Sequence, residues 1–210
     1  MTIFYLQLII VNIKSQIFVN FVPMINAAIF ASGEGTNAEN LFTYFANDPR
    51  IKIKLVVTNR DDAGIIARAE KHKKNVQIIS KAALENYTDK FIEFLKVEKI
   101  DLIILAGFLI KIPEAFIKAF PNKIVNLHPA LLPNYGGKGM YGINVHKAVI
   151  ANKDKESGIT VHFANEEYDK GEIILQAKCT IDANETPESL AKKIQALEFE
   201  HLPKAIEKFL

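Results

Sequence analysis

Asn126 and His128 stand two residues apart at the head of the stretch Ile124 to Tyr141, which opens with β-forming residues. On a strand, that spacing projects both side chains from one face. Pro129 ends the strand, because proline donates no hydrogen bond to a ladder. Pro133 and the glycines that follow it predict a shaped loop rather than a helix. A polarising amide and an imidazole are therefore offered together at a strand's carboxyl end, where open α/β sheets bind their ligands. An amide donor can stabilise a developing oxyanion, and an imidazole can move a proton near neutral pH. The plain alternative for His128 is a hydrogen-bonded histidine at a strand end, but Asn126 before it and the proline-bracketed loop after it favour an active site.

The elements that must position this pair alternate strand and helix from residue 27 onward, which predicts βαβ units and a mainly parallel sheet. The first unit is a strand over Ala27–Ser32, a turn Gly33-Glu-Gly-Thr-Asn37, and a helix to about Ala46. Such a turn, with two glycines at a helix N-terminus, suits an anion, although it is neither G-x-G-x-x-G nor a P-loop. A tight turn without a ligand would look the same. Strands are expected at Ile51–Val57 and Val76–Ile79, with a helix from Ala63 to Lys73 capped by Asp61 or Asp62. A further helix is expected over Tyr87–Val97, from the spacing of Phe91, Phe94 and Leu95. The Lys71–Lys74 cluster reads as a solvated helix end, so His72 is not a site candidate.

Asp101–Ala106 is an unbroken apolar run, as expected for a central strand covered on both faces. The apolar segment Gly107–Pro113 leaves it at the sheet edge that carries Asn126 and His128, and it suits either a flat organic ligand or a buried crossover. A helix follows over Gly142–Ala151 with His146 on its flank, then strands over Gly158–Ala164 and Ile173–Thr180. Their link, Asn165–Gly171, reads as a charged hairpin-like loop. Thr186 and Pro187 cap and open a last helix that runs to Leu210, with a kink expected near Pro203.

With 210 residues, 49% hydrophobic and 24% charged, the chain has the composition of one globular domain. Its net charge of +2 is too small and too scattered to argue for nucleic acid. Cys179 is the single cysteine, which excludes an intramolecular disulfide or a cysteine-based metal cluster; the alternating pattern around it predicts a strand residue that is a buried small hydrophobe rather than a nucleophile. Residues 1–23 differ from the rest: their apolar run falls short of the ~20 residues that span a bilayer, and no Lys or Arg precedes it as in a signal peptide. Met24 is the expected natural start and residues 1–23 an upstream extension, leaving 24–210 as a single cytoplasmic domain, monomer or homodimer.

Several motifs together resemble the 10-formyltetrahydrofolate-dependent formyltransferase family over about residues 25–210. They are Ser-Gly-x-Gly-Thr-Asn at 32–37, Leu-Ala-Gly-Phe at 105–108, Asn-Leu-His-Pro-Ala-Leu-Leu-Pro at 126–133, Thr-Val-His-Phe at 160–163, Asp169-Lys-Gly171 and Ile-Leu-Gln at 174–176. The resemblance implies a Rossmann-like three-layer α/β fold, its mainly parallel sheet ending in C-terminal antiparallel strands. It implies formyl transfer from 10-formyltetrahydrofolate, as cosubstrate and without a metal, to an amine. The phosphate-type turn and compact length favour 5-phosphoribosylglycinamide, in purine synthesis, as the acceptor.

By the same resemblance, Asn126, His128 and Asp169 form the catalytic set, with His128 protonated and His162 in support. Gly35, Thr36, Asn37 and Glu198 would take the ribonucleotide. Leu109, Ile110, Lys111 and Ile112 with Asn126, Asn165, Glu166, Glu167, Tyr168 and Asp169 would take the folate. Many members carry Arg where this chain has Ile110, with Lys111 adjacent. Two relatives within the family remain open: a transferase acting on methionyl-tRNA, expected to need an RNA-binding domain beyond Leu210, and a hydrolase, expected to need an N-terminal regulatory domain. A non-catalytic phosphate-binding α/β module is the alternative of another class. It would keep Gly33–Asn37 but would not need Asn126, His128 and Asp169 together.

Overall fold

The computed structural model describes residues 24–210; the predicted extension over residues 1–23 lies outside the described residues. The strands are β1 (Ile25–Phe30), β2 (Ile51–Thr58), β3 (Asn75–Ile78), β4 (Leu102–Leu105), β5 (Ile124–His128), β6 (Glu156–Phe163) and β7 (Ile173–Thr180). Helices α1 (Thr36–Tyr44), α2 (Ile65–Lys71), α3 (Lys81–Asn86), α4 (Thr88–Val97), α5 (Glu114–Ala119), α6 (Ile143–Ala151) and α7 (Pro187–Glu207) connect and flank them. The strands form one sheet in the order β3-β2-β1-β4-β5-β6-β7. The first five are parallel, and β6 and β7 add on antiparallel to one another and to β5. This is the predicted mixed sheet.

Chain order reverses between β1 and β4: from β1 the chain moves outward to β3, then returns to β4 and proceeds the other way. The crossover loops part at that point and leave a crevice at the strands' carboxyl ends. β4 shows why the sheet is covered on both faces. All four of its residues are buried, and the period of two sends Leu102 and Ile104 into one core and Ile103 and Leu105 into the other. Each such side chain contributes about 1.5–3 kcal/mol by leaving water. The side of Leu102 and Ile104 is closed by Leu41 and Phe42 of α1 and by Leu190, Ile194 and Leu202 of α7. The other is closed by Phe91, Ile92 and Leu95 of α4 and Phe116 of α5.

Three sequence expectations change in the structure. The cap of α2 is Gly64 and no side chain fills that role, because Asp62 is held by Arg60 at 2.8 and 2.7 Å. The helix start is fixed instead by Ile65 N–H donating to the Gly33 carbonyl at 3.2 Å. Two short helices escaped the sequence reading: α3, capped by Ser80 accepting from Ala83 N–H, and α5, which begins directly after Pro113. α7 ends at Glu207 rather than Leu210, after 21 residues that continue through Pro203. Proline removes the donor that would reach the Phe199 carbonyl, and Asn40 Nδ2 of α1 donates to it instead, at 2.8 Å. The predicted Thr186 cap and Pro187 first turn are present.

Gly35 is the glycine that the fold requires at the crevice. It caps α1 at φ 72°, and a Cβ there would lie 2.6 Å from Ile65 Cβ. Gly35→Ala is expected to destabilise the fold by about 1–3 kcal/mol through the left-handed backbone alone, with the clash in addition. A urea midpoint equal to that of the unsubstituted chain would show that the turn relaxes freely.

Candidate active site

The loops at the switch point are tied together before any ligand arrives. Ser32, buried at the end of β1, donates through Oγ to Asn59 Oδ1 after β2 and accepts Leu109 N–H at 2.9 Å from the segment after β4. The loops after β1 and β4, together with β5, line a cleft of about 640 Å³. It runs from Gly33–Asn37 and the α7 residues Gln195 and Glu198, past Asn126 and His128, to Leu105–Ile112 and the β6–β7 link. Leu109 and Tyr168 stand exposed at the far end, as Tyr141 and Ile143 do along the segment that enters α6.

Register explains how the polar cluster forms. β5 pairs antiparallel with β6 so that Asn126 faces His162 and His128 faces Thr160. Asn126 Nδ2 donates to His162 Nε2 at 3.0 Å, and His162 Nδ1 donates to the Phe163 carbonyl at 2.8 Å, which fixes the His162 tautomer. The second Asn126 hydrogen reaches Asp169 Oδ1 at 3.3 Å. Asp169 sits in the link after β6 at φ 56°, and its Oδ2 accepts Gly137 N–H at 2.8 Å while lying 3.7 Å from His128 Nδ1. Gly171 closes that hairpin: a Cβ there would meet the Phe163 carbonyl oxygen at 1.7 Å.

His128 donates through Nε2 to the Tyr135 carbonyl at 2.8 Å. In the neutral ring Nδ1 is then the acceptor, and it is the nitrogen that faces Asp169. Burial pushes the His128 pKa down; Asp169 and the Tyr135 carbonyl oppose this, but the net direction is below the ordinary value of 6.5. In the free protein this direction favours a neutral ring at pH 7, because desolvation outweighs the carboxylate. Burial also works to raise Asp169, yet the His162 ring, the Gly137 amide and His128 hold its carboxyl below the usual range.

At the other end of the cleft, Asn37 Nδ2 donates to Glu198 at 2.8 Å, while Asn37 Oδ1 is buried without a partner among the described residues. An orphaned acceptor of this kind points to a donor supplied by a ligand. Burial raises the Glu198 pKa against the pull of Asn37. Gly35, Thr36, Asn37 and Glu198 therefore converge on one wall. So do Leu109, Ile110, Lys111, Ile112, Asn126, Asn165, Glu167, Tyr168 and Asp169 on the other part, with Lys111 Nζ 5.4 Å from the Tyr168 ring centroid. Glu166 is the exception: it is exposed and, alone among Asn165–Asp169, does not line the cleft.

Sequence reasoning missed two groups. Thr160 is fully buried and its hydroxyl donates to the Ala130 carbonyl at 2.7 Å while accepting Leu132 N–H at 3.0 Å. Gln176 Nε2 adds bonds of 2.9 Å to both the Leu132 carbonyl and Thr160, so these two side chains shape the loop after His128. His146 is buried and lines the cleft rather than standing on an open helix flank.

Fold and site define a doubly wound α/β protein with an amide–imidazole–carboxylate cluster at its topological switch point. The formyl transferase family model matches residues 25–206, and the chain belongs to that family. It is 41% identical over 173 residues to the chloroplastic phosphoribosylglycinamide formyltransferase of Arabidopsis thaliana, covering 80% of this chain and 59% of that protein. With the phosphoribosylglycinamide formyltransferase of Bacillus subtilis, identity is 33% over 187 residues, covering 87% of this chain and 93% of the relative. The crystal structure of glycinamide ribonucleotide transformylase 1 from Geobacillus kaustophilus superposes with a TM-score of 0.80 at 32% identity, covering 90% of this chain and all of that one. The chain thus spans little more than half of the plant relative and nearly all of the bacterial ones. Among the described residues no helix is long and apolar enough to cross a membrane.

Proposed function

We propose that this chain transfers the formyl group of 10-formyltetrahydrofolate to the amine of 5-phosphoribosylglycinamide. One observation carries the reading: a single cleft joins the Gly33–Asn37 turn to the Leu109–Ile112 segment, with Asn126, His128 and Asp169 between them. In a family of formyl transferases, that supports a phosphate-type subsite and an apolar subsite on either side of proton-moving groups.

The amine lone pair attacks the formyl carbon, and the carbonyl π pair moves onto oxygen. His128 Nδ1, neutral and facing the cleft, takes the proton from the new C–N ammonium. As the oxyanion collapses, the bond to the folate nitrogen breaks and His128 returns the proton to that nitrogen. Asp169 stabilises the transient imidazolium from 3.7 Å. Asn126 Nδ2 exchanges its long contact to Asp169 for the oxyanion, a donor worth about 3 kcal/mol. His162 keeps that amide oriented by accepting its other hydrogen. The flat pteridine lies along Leu109–Ile112 and the Asn165–Asp169 link, and the ribose hydroxyls meet Glu198 and Asn37 Oδ1.

A transfer assay tests this. The purified chain with 10-formyltetrahydrofolate and 5-phosphoribosylglycinamide should give the formylated ribonucleotide and free tetrahydrofolate in equal amounts. Tetrahydrofolate formed without the ribonucleotide would assign a hydrolase. Folded protein inert with both substrates would defeat the acceptor assignment.

A further inference from the structure

The end of the cleft assigned to the ribonucleotide is short of positive charge. The cations lining the whole cleft are Lys111 and Lys138, against the carboxyl groups of Glu34, Glu167, Asp169 and Glu198. Lys111 lies at the far end over Tyr168. Arg68, behind the Gly33–Asn37 turn, is committed to the Glu34 carbonyl and the Glu39 carboxylate. Neither the turn nor the part of α7 that lines the cleft holds a Lys or Arg. A phosphate gripped there only by backbone N–H groups would face Glu198 without a counter-charge.

The segment entering α6 answers this shortage. It is anchored at one end by Gly137 N–H on Asp169, and at the other it becomes α6, which packs on α7, itself packed on α1. The segment therefore passes from the catalytic carboxylate to the helices that carry Glu198 and Asn37. Gly137, Gly139 and Gly142 adopt φ of 96°, 88° and 54°, a path that side-chain-bearing residues rarely follow. Lys138 lies within it, exposed at the cleft wall and making no hydrogen bond or ion pair among the described residues.

His146 supplies a second, independent observation. Its ring is buried in α6 and lines the cleft, and Nδ1 is enclosed without a partner among the described residues. An enclosed N–H left unpaired is rarer than an empty lone pair. The proton therefore resides on Nε2, the nitrogen open to the cleft. Burial also keeps this ring neutral.

We propose that Lys138 and His146 form a second wall of the ribonucleotide subsite, facing Gly33–Asn37. The Lys138 ammonium supplies the charge for the phosphate, and His146 Nε2–H donates to a ribose or phosphate oxygen. The inference rests on the cleft accepting a phosphorylated ribose, but it is testable without formyl transfer.

Calorimetric titration of the full chain with ribose 5-phosphate is the direct probe. Lys138→Ala should weaken binding about tenfold or more, as loss of a charge-assisted contact does, and Lys138→Arg should restore most of it. His146→Phe keeps an aromatic ring but no donor, and should weaken binding several-fold. In the transfer assay, Lys138→Ala should raise KM for the ribonucleotide while leaving kcat and the folate KM near their original values. Equal ribose 5-phosphate affinity in Lys138→Ala and the unsubstituted chain would overturn the proposal, as would no binding by the latter. Because Lys138 is exposed, the Lys138→Ala result stands whether or not the buried His146 variant folds. Lysine-dependent ribose 5-phosphate binding without any formyl transfer would support this subsite while defeating the activity assigned above.

Discussion

His128→Ala is expected to lower kcat by about 10²–10⁴-fold, the usual contribution of a positioned acid–base group, with ribose 5-phosphate binding unchanged. On the proposed mechanism the loss falls on kcat, because Nδ1 would act on protons that move only during transfer and the contacts proposed for the ribonucleotide lie on other residues. The unsubstituted chain should show an acid limb in kcat/KM with a midpoint below 6.5, since burial depresses the His128 pKa and the working form is neutral. That limb should vanish in the variant. The same shift has a stability consequence. As pH falls below the unfolded value near 6.5, the unfolded chain takes up a proton that the folded one refuses. Stability therefore declines with acidification until the folded pKa is passed, and is unaffected by this group above neutrality. His128→Ala removes that penalty, but leaves the Tyr135 carbonyl without its donor at a cost of about 1–3 kcal/mol. Circular dichroism and a urea midpoint therefore belong beside the kinetics. A variant that keeps more than a tenth of the original kcat would remove His128 from the proton path.

What the sequence makes legible follows from period and punctuation. Strand β4 is an apolar run because both its faces are buried, and Asn126 and His128 share a face because the strand period is two. Tertiary pairing is different. Nothing near Asp169 in sequence says that it returns to His128; only the family resemblance joins them, and the β6–β7 hairpin carries out the return. His146 stays hidden because α6 is apolar around most of its circumference, with Ile143, Val145, Ala148, Val149 and Ile150, so helical phase does not separate a cleft face from a core face. Asp61 and Asp62 satisfy every local rule for a helix cap, yet the fold commits Asp62 to Arg60 and starts α2 from a carbonyl of the neighbouring turn. The protonation state of His128 is the deepest case. The nearby carboxylate is inferable by resemblance, but the desolvation that outweighs it belongs to the assembled core. No local stretch of residues contains it.

Asp169→Asn separates the charge of this residue from its shape, and it is expected to cost about 10²-fold or more in kcat. The amide can still accept Gly137 N–H through its oxygen, so the anchor at 2.8 Å survives in the variant. What disappears is the negative charge 3.7 Å from His128 Nδ1, the main force opposing burial of an imidazolium. Two results follow. The His128 pKa drops further, so the acid limb of kcat/KM moves to lower pH, whereas a carboxylate that was itself the base would take its limb away with it. The plateau also falls, because the transient imidazolium is no longer stabilised. Stability shifts in a defined window too. The Asp169 carboxyl titrates below its unfolded value near 3.8, so its stabilisation is complete above that pH and is lost as pH falls through the folded pKa. The variant should therefore be less stable than the unsubstituted chain at pH 7, and the difference should shrink as pH falls from 3.8 through the folded pKa. An Asp169→Asn enzyme with a full plateau and an unmoved acid limb would confine Asp169 to holding Gly137 and Asn126 in place, and the charge on His128 would then need another source.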